Sequence, residues 1–240
     1  MVRSSAVIFV AFSLVLAGAR ASLAQATAEP PSDHQHTGNH QMSVPMPMAH
    51  HSFGDAERWA KLFDDPSRDA WQKPDEVLDA LQLEPTARVA DLGAGTGYFS
   101  VRIAKRVPKG KVFAVDIEPD MLRYLDERAH RAHLSVLQTV RASADSANVP
   151  EPVDLVLVVD TYHHIENRTA YFAKLSKSLR PDGRLAIIDF KLDAPDGPPV
   201  ADRIAPEKVT AELEAAGYQL VATLPLLPRQ YFLVFRRKAS

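Results

Sequence analysis

Short apolar runs with little polar alternation recur along this chain, and helical patterns separate most of them. Arg88 to Leu92, Lys111 to Val115, Ser135 to Val140, Val153 to Val159 and Arg184 to Asp189 read as strands. Between them, Val101 to Val107 continues a helix opened near Tyr98. Pro119 to His130 is a second helix, with Met121, Leu122 and Leu125 on its buried stripe. Ala170 to Leu179 reads as a third, and Pro181-Asp182-Gly183 turns the chain into the strand that ends at Asp189. A continuously apolar strand is covered on both faces, and intervening helices make neighbouring strands parallel. After a Pro-rich stretch at 195–206, the helix Pro206 to Ala216 stops at Gly217. The strands Gln219 to Leu224 and Gln230 to Arg236 then follow with no helix between them, so they must pair antiparallel. The expected fold class is α/β: a doubly wound, seven-stranded, mostly parallel sheet with an antiparallel last strand and helices on both faces.

The 240 residues include 46% hydrophobic side chains, enough for one well-buried core but not for two. A formal charge of -2 gives no bulk attraction to a phosphate backbone, so nucleic acid is not an expected partner. The absence of cysteine removes disulfides, thiolate nucleophiles and cysteine zinc sites, and the reading demands no metal for catalysis.

Residues 1–26 differ from the rest. Arg3 precedes the apolar run Ala6 to Gly18, and Ala24-Gln25-Ala26 offers small residues where a signal peptidase reads. The run is shorter than the roughly 20 residues that a bilayer span takes. The expectation is an export signal cleaved before Thr27, with a periplasmic or secreted product. Ala19-Arg20-Ala21 is the second cleavage candidate. An uncleaved anchor is the alternative, and the one case that would make the membrane a partner. Cleavage removes Arg3 and Arg20 and no acid, so the charge becomes 26 − 30 = −4. Residues 27–52 read as a disordered linker rich in His and Met. His34, His36, His40, His50 and His51, with Met42, Met46 and Met48, add a secondary expectation of weak copper binding by residues 34–51.

The folded part, residues 53–240, opens with helical spacing at Ala56, Trp59, Ala60 and Phe63. A second helix starts near Pro74 and buries Val77, Leu78 and Leu81. Trp59, Phe63, Arg68, Trp71 and Gln72 form either a packing cap on the sheet or a lid over a crevice.

The stretch Val89 to Ser100 carries the chemistry. A buried strand ends at Leu92, and Gly93, Gly95 and Gly97 precede a helix, so the backbone can turn tightly and approach a ligand. A dinucleotide fingerprint needs a further glycine at its sixth position, where Tyr98 or Ser100 stands instead. No Gly-Lys-Ser/Thr follows, which removes a Walker loop. Asp91, just inside the turn, repels a pyrophosphate but pairs with a cationic amine, which points to an adenosyl ligand without phosphates. Asp116, at the end of the neighbouring strand, faces the same crevice. It either accepts from two ribose hydroxyls, with Ile117 over a base, or caps the Pro119 helix.

These stretches resemble the class I S-adenosylmethionine-dependent methyltransferases over about residues 72–240, and the whole pattern is similar to a bacterial group of exported methyltransferase-like proteins. The resemblance implies S-adenosylmethionine as cofactor. It implies that the turn of Gly93, Ala94, Gly95 and Gly97 wraps the methionine end, with Asp91 near the amine, Asp116 on the ribose and Asp145 as the acid near the adenine. Arg180-Pro181-Asp182-Gly183 matches the family's late turn, and the final hairpin matches its antiparallel last strand.

The fourth strand ends Asp160-Thr161-Tyr162-His163-His164, where the family places residues beside the methyl group and its acceptor. His163 can take a proton from a hydroxyl or amine, with His164 beside it, and Asp160 can orient the acceptor or touch the cofactor. The competing reading is a histidine that only bonds across its loop. Asn/Asp-Pro-Pro-Tyr is absent, which disfavours DNA bases and glutamine amides. The expected function is methyl transfer to a small-molecule acceptor. The alternative is a catalytically inactive exported module that binds an adenosyl or other small ligand.

Overall fold

A computed structural model describes residues 55–238. The expected signal segment (1–26) and His/Met-rich linker (27–52) lie outside the described residues. The described residues open with a cap of two helices, α1 (Ala56–Phe63) and α2 (Asp69–Gln72), joined by a 3-10 turn at Pro66–Arg68. Asp55 caps α1 by accepting from the Arg58 amide, and Asp65 does the same for Ser67. Helix α3 (Pro74–Leu81) follows with proline in its first turn, and its Val77, Leu78 and Leu81 are buried as their spacing predicts.

The strands are β1 (Arg88–Leu92), β2 (Lys111–Asp116), β3 (Leu137–Arg141), β4 (Val153–Val159), β5 (Leu179–Phe190), β6 (Tyr218–Thr223) and β7 (Gln230–Arg237). Helices α4 (Ser100–Arg106), α5 (Pro119–Arg131), α6 (Arg168–Leu175) and α7 (Pro206–Ala215) connect them. They form one seven-stranded sheet in the order β3-β2-β1-β4-β5-β7-β6. The first five strands pair in parallel, and β7 runs antiparallel to both its neighbours.

Alternate residues of the central strands pack on opposite faces of the one sheet. Val156 and Val158 of β4 pack with Phe172, Val209 and Leu213 on the face of α6 and α7. Leu155, Leu157 and Val159 pack with Leu78, Phe99 and Ile103 on the opposite face. Burial on both faces is what a strand without alternation requires. The boundaries around α6 differ from the sequence reading: α6 ends at Leu175, a 3-10 turn covers Ser176–Ser178, and Leu179 already belongs to β5, paired with Val153. Pro181-Asp182-Gly183 therefore lies within β5, where its register with β4 shifts, rather than ahead of it. The apolar Leu179 satisfies a helical stripe and a buried strand equally well, so the pattern alone cannot place the boundary.

The chain leaves β1 for β2 and β3 on one side, then returns to β4 on the other side of β1. That reversal makes the carboxyl ends of β1, β2 and β4 the switch point of the sheet, the place where ligands of open α/β sheets bind.

Candidate cofactor and acceptor site

The turn from β1 into α4 is shaped by glycines. Gly93 has φ +77°, and a Cβ there would overlap the side chain of Thr161 at the end of β4. The Gly93 and Ala94 amides both donate to the Val115 carbonyl of β2, which holds the turn against the next strand. The ring of Phe63, on α1, lies 3.6 Å from where a Cβ of Gly95 would stand, so the cap covers this turn directly. Thr96 is 1% exposed, and its hydroxyl has no partner among the described residues. A buried hydroxyl without a partner costs free energy unless a ligand supplies one.

Two acids flank the turn. Asp91 is 3% exposed, and its carboxylate accepts from the Ser100 hydroxyl at 2.5 Å. Burial pushes its pKa up to about 6, with the nearby Asp116 adding to the shift and Arg68 opposing it. Asp116 closes β2. One carboxylate oxygen accepts from the Gly95 amide at 2.8 Å and the other from the Glu118 amide at 2.9 Å. The Glu118 bond closes a local turn rather than capping the helix, because Glu118 itself is the N-cap residue of α5 and no side chain caps it. Each Asp116 oxygen keeps a second lone pair. Burial outweighs these amide bonds and raises the Asp116 pKa. Beside it, Ile117 is 47% exposed, an apolar surface next to the acid.

A second polar cluster sits at the ends of β4 and β5 and the start of β7. The Asp160 carboxylate accepts from Arg68 at 3.1 Å and from the Gln230 amide, and Gln230 in turn accepts from Gln72 of α2 at 2.6 Å. Burial carries the Asp160 pKa up to about 7 despite Arg68, and Asp189 adds to the rise. His163 follows on a 3-10 turn, with its Nδ1 2.9 Å from one Asp189 oxygen and 3.0 Å from the other. Burial works against the imidazolium, but the Asp189 carboxylate outweighs it and the His163 pKa is raised. Because an ionised carboxylate only accepts, Nδ1 carries the hydrogen and Nε2 is the basic nitrogen of the neutral ring. His164 packs its ring against His163 at 4.1 Å and is exposed. The Tyr231 hydroxyl, opposite Asp189 in the β5–β7 pairing, is buried with no hydrogen-bond partner among the described residues.

Asp91, Gly93, Ala94, Gly95, Gly97, Asp116, Ile117, Asp160 and His163 thus lie on strand ends and turns around the switch point of the sheet. Asp145 is not drawn in with them. It sits on an exposed turn, where it accepts from Ser143 and pairs with Lys174 of α6 at 3.1 Å. Asp189, Gln230, Tyr231 and Thr96 escape the sequence reading. Asp189 carries the same signal as Asp91, Asp116 and Asp160: an acid at or just after the carboxyl end of a buried strand. The cap residues Arg68 and Gln72 reach this cluster, and Phe63 stands beside the glycine turn, so the cap packs over both.

Residues 89–183 match the family described as "Methyltransferase domain". The chain is 36% identical over 107 residues to malonyl-[acyl-carrier protein] O-methyltransferase of Methylococcus capsulatus, which covers 44% of this chain and 38% of that protein. It is 35% identical over 154 residues to an uncharacterized methyltransferase of Mycobacterium tuberculosis, covering 57% and 59%. The chain spans about half the length of the curated relatives it matches. A solved S-adenosylmethionine-dependent methyltransferase of Aquifex aeolicus superposes with a TM-score of 0.70 at 27% identity, covering 75% of this chain and 97% of that one. With that likeness, the strand order and the paired acids around the glycine turn, the chain has the fold of the class I S-adenosylmethionine-dependent methyltransferases.

Proposed function

We propose that this chain transfers a methyl group from S-adenosylmethionine to a small-molecule acceptor. The observation that carries the reading is the pair Asp91 and Asp116 on adjacent parallel strands, on either side of a glycine turn that holds an unpartnered Thr96 hydroxyl. The donor set fits this cofactor. Asp116 keeps lone pairs for vicinal ribose hydroxyls, Ile117 offers an apolar face to the adenine, Asp91 supplies an anion for an amine, and Thr96 gains a partner.

The cofactor supplies a methyl group already activated on a sulfonium, so the protein's contribution is alignment and a dry surrounding. Phe63 and the rest of the cap exclude water from above the glycine turn. His163, held by Asp189 with Nε2 basic, takes the proton from a hydroxyl or amine acceptor. Labelled-methyl transfer to fractionated small-molecule extracts tests the proposal. Label in a small-molecule fraction supports it. Cofactor binding without transfer to any fraction favours the inactive binding module, and absence of binding removes both.

Two further proposals rest on the sequence alone. Residues 1–26 direct export, to be checked by the mass of the mature N-terminus, with an intact N-terminus pointing to an anchor. Residues 34–51 bind copper weakly, and a titration of a 27–52 peptide without copper uptake ends that idea.

A further inference from the structure

We infer that Arg68 receives the carboxylate of the cofactor's amino-acid tail, giving up its internal partner Asp160 in exchange, so that the cap becomes part of the binding site. The inference rests on the cofactor reading above and adds a residue that neither the glycine turn nor the strand ends supply.

Three observations lead to it. First, Arg68 is a cap residue, yet its side chain is only 15% exposed and turns toward Asp160 at the end of β4. Its guanidinium donates to the Phe63 carbonyl at 3.0 Å, to Gln72 from Nε and Nη2, and to Asp160 from Nη2. A guanidinium has five N–H donors. These bonds use four, which leaves one Nη1 hydrogen without a partner among the described residues. The group also stacks on the Tyr98 ring, 4.2 Å from its centroid, at the mouth of α4. It is thus fixed in place before any ligand arrives.

Second, the charges around Arg68 match an α-amino acid. Asp91 lies close enough for Arg68 to act on it electrostatically, and Asp160 contacts Arg68 directly from the end of β4. A zwitterion presents an ammonium and a carboxylate on adjacent carbons. Asp91 serves the first and Arg68 the second, and planar guanidinium is well matched to a carboxylate.

Third, Asp160 behaves as a stand-in for the ligand. It holds a left-handed backbone, φ 53°, which a side chain bearing a Cβ rarely adopts, and its carboxylate sits partly buried near a second acid, Asp189. Its partners are Arg68 and Gln230. A ligand carboxylate on Arg68 replaces one anion by another and leaves Asp160 its bond from Gln230.

The test compares two probes by calorimetry on the full chain. S-adenosylhomocysteine has the amino-acid tail, and 5′-methylthioadenosine lacks it. Arg68→Gln should weaken the first by about tenfold to a hundredfold, as loss of a charged hydrogen-bond pair implies. It should leave the second within about twofold, which also shows that the variant is folded. Arg68→Lys should recover part of the loss. Asp160→Asn removes the competing anion and should bind S-adenosylhomocysteine at least as tightly as the unaltered chain. Equal weakening of both probes in Arg68→Gln, or weakened S-adenosylhomocysteine binding in Asp160→Asn, would reduce the ion pair to a strut and overturn the inference. An unaltered chain that binds neither probe would overturn the cofactor reading itself, a distinct result.

Discussion

Asp91 illustrates how one residue serves a site at the expense of the fold. Its pKa of about 6, against an ordinary 3.8, means that the folded state resists ionisation more than the unfolded chain does. The unfolded chain therefore releases this proton first as pH rises. The resulting cost is absent below about pH 4 and complete above about pH 6, where it is on the order of 3 kcal/mol. Asp91→Asn keeps a partner for Ser100 and removes that cost. Its melting temperature should exceed that of the unaltered chain at pH 7.5, with the gap closing at pH 4, while cofactor affinity falls. A variant less stable at both pH values would mean that the carboxylate is worth more to the fold than its burial costs. His163 gives the opposite sign. Asp189 stabilises the imidazolium, so the base should work only as pH rises through a value above 6.5. In Asp189→Asn that inflection should move to lower pH and kcat should drop. An unmoved profile would leave His163 as a loop-bonding residue. Asp189 itself was accessible to the reasoning that finds Asp91 and Asp116, because it too ends an apolar strand. Arg68–Asp160 was not, since the partners are 92 residues apart and only the sheet order brings them together.

At the scale of elements, the β1–α4 turn shows why glycine stands where it does. Alanine at Gly93 meets two penalties: a left-handed φ, worth about 1–2 kcal/mol, and overlap with Thr161, whose hydroxyl donates to the Val159 carbonyl at 2.9 Å. Gly93→Ala should therefore destabilise by about 2–4 kcal/mol. Combining it with Thr161→Gly should return the steric part and leave the φ part, a coupling that denaturant melts of the double-mutant cycle read directly. Additive losses would mean that the turn shifts away from β4 rather than pressing on it. The parallel strands and this turn were legible because burial on both faces erases polar alternation and because three closely spaced glycines have few other uses. The α6–β5 boundary was not. Ser176–Ser178 carries no helix stop as strong as Gly217, and what ends α6 there is the pairing of Leu179 with Val153, a tertiary contact.

Across the whole molecule, stability and function are unevenly distributed. The central strands β1, β4 and β5 are buried on both faces, whereas α1 and α2 rest on the domain largely through polar contacts. Ala56 donates to Asp120, Glu57 pairs with Arg123, Asp64 with Arg128, and Asp69 with Arg102 and Tyr98. The more exposed of these, Glu57–Arg123 and Asp69–Arg102, are worth about 0–1 kcal/mol each, so the cap should open without the sheet unfolding. Amide exchange in α1 and α2 should accordingly be orders of magnitude faster than in β4. S-adenosylhomocysteine at a hundred times its dissociation constant adds about 2.7 kcal/mol to the ligand-bound state. If Phe63 and Arg68 must be seated for the ligand to stay, opening the cap forfeits that energy, and cap amides should slow by up to about a hundredfold. Helix α7, which packs on the face away from the glycine turn, should slow only where its amides exchange through global unfolding. Cap exchange that ignores the ligand would mean that the cofactor binds the sheet alone, and the lid would then be a cover that opens and closes without regard to what lies beneath it.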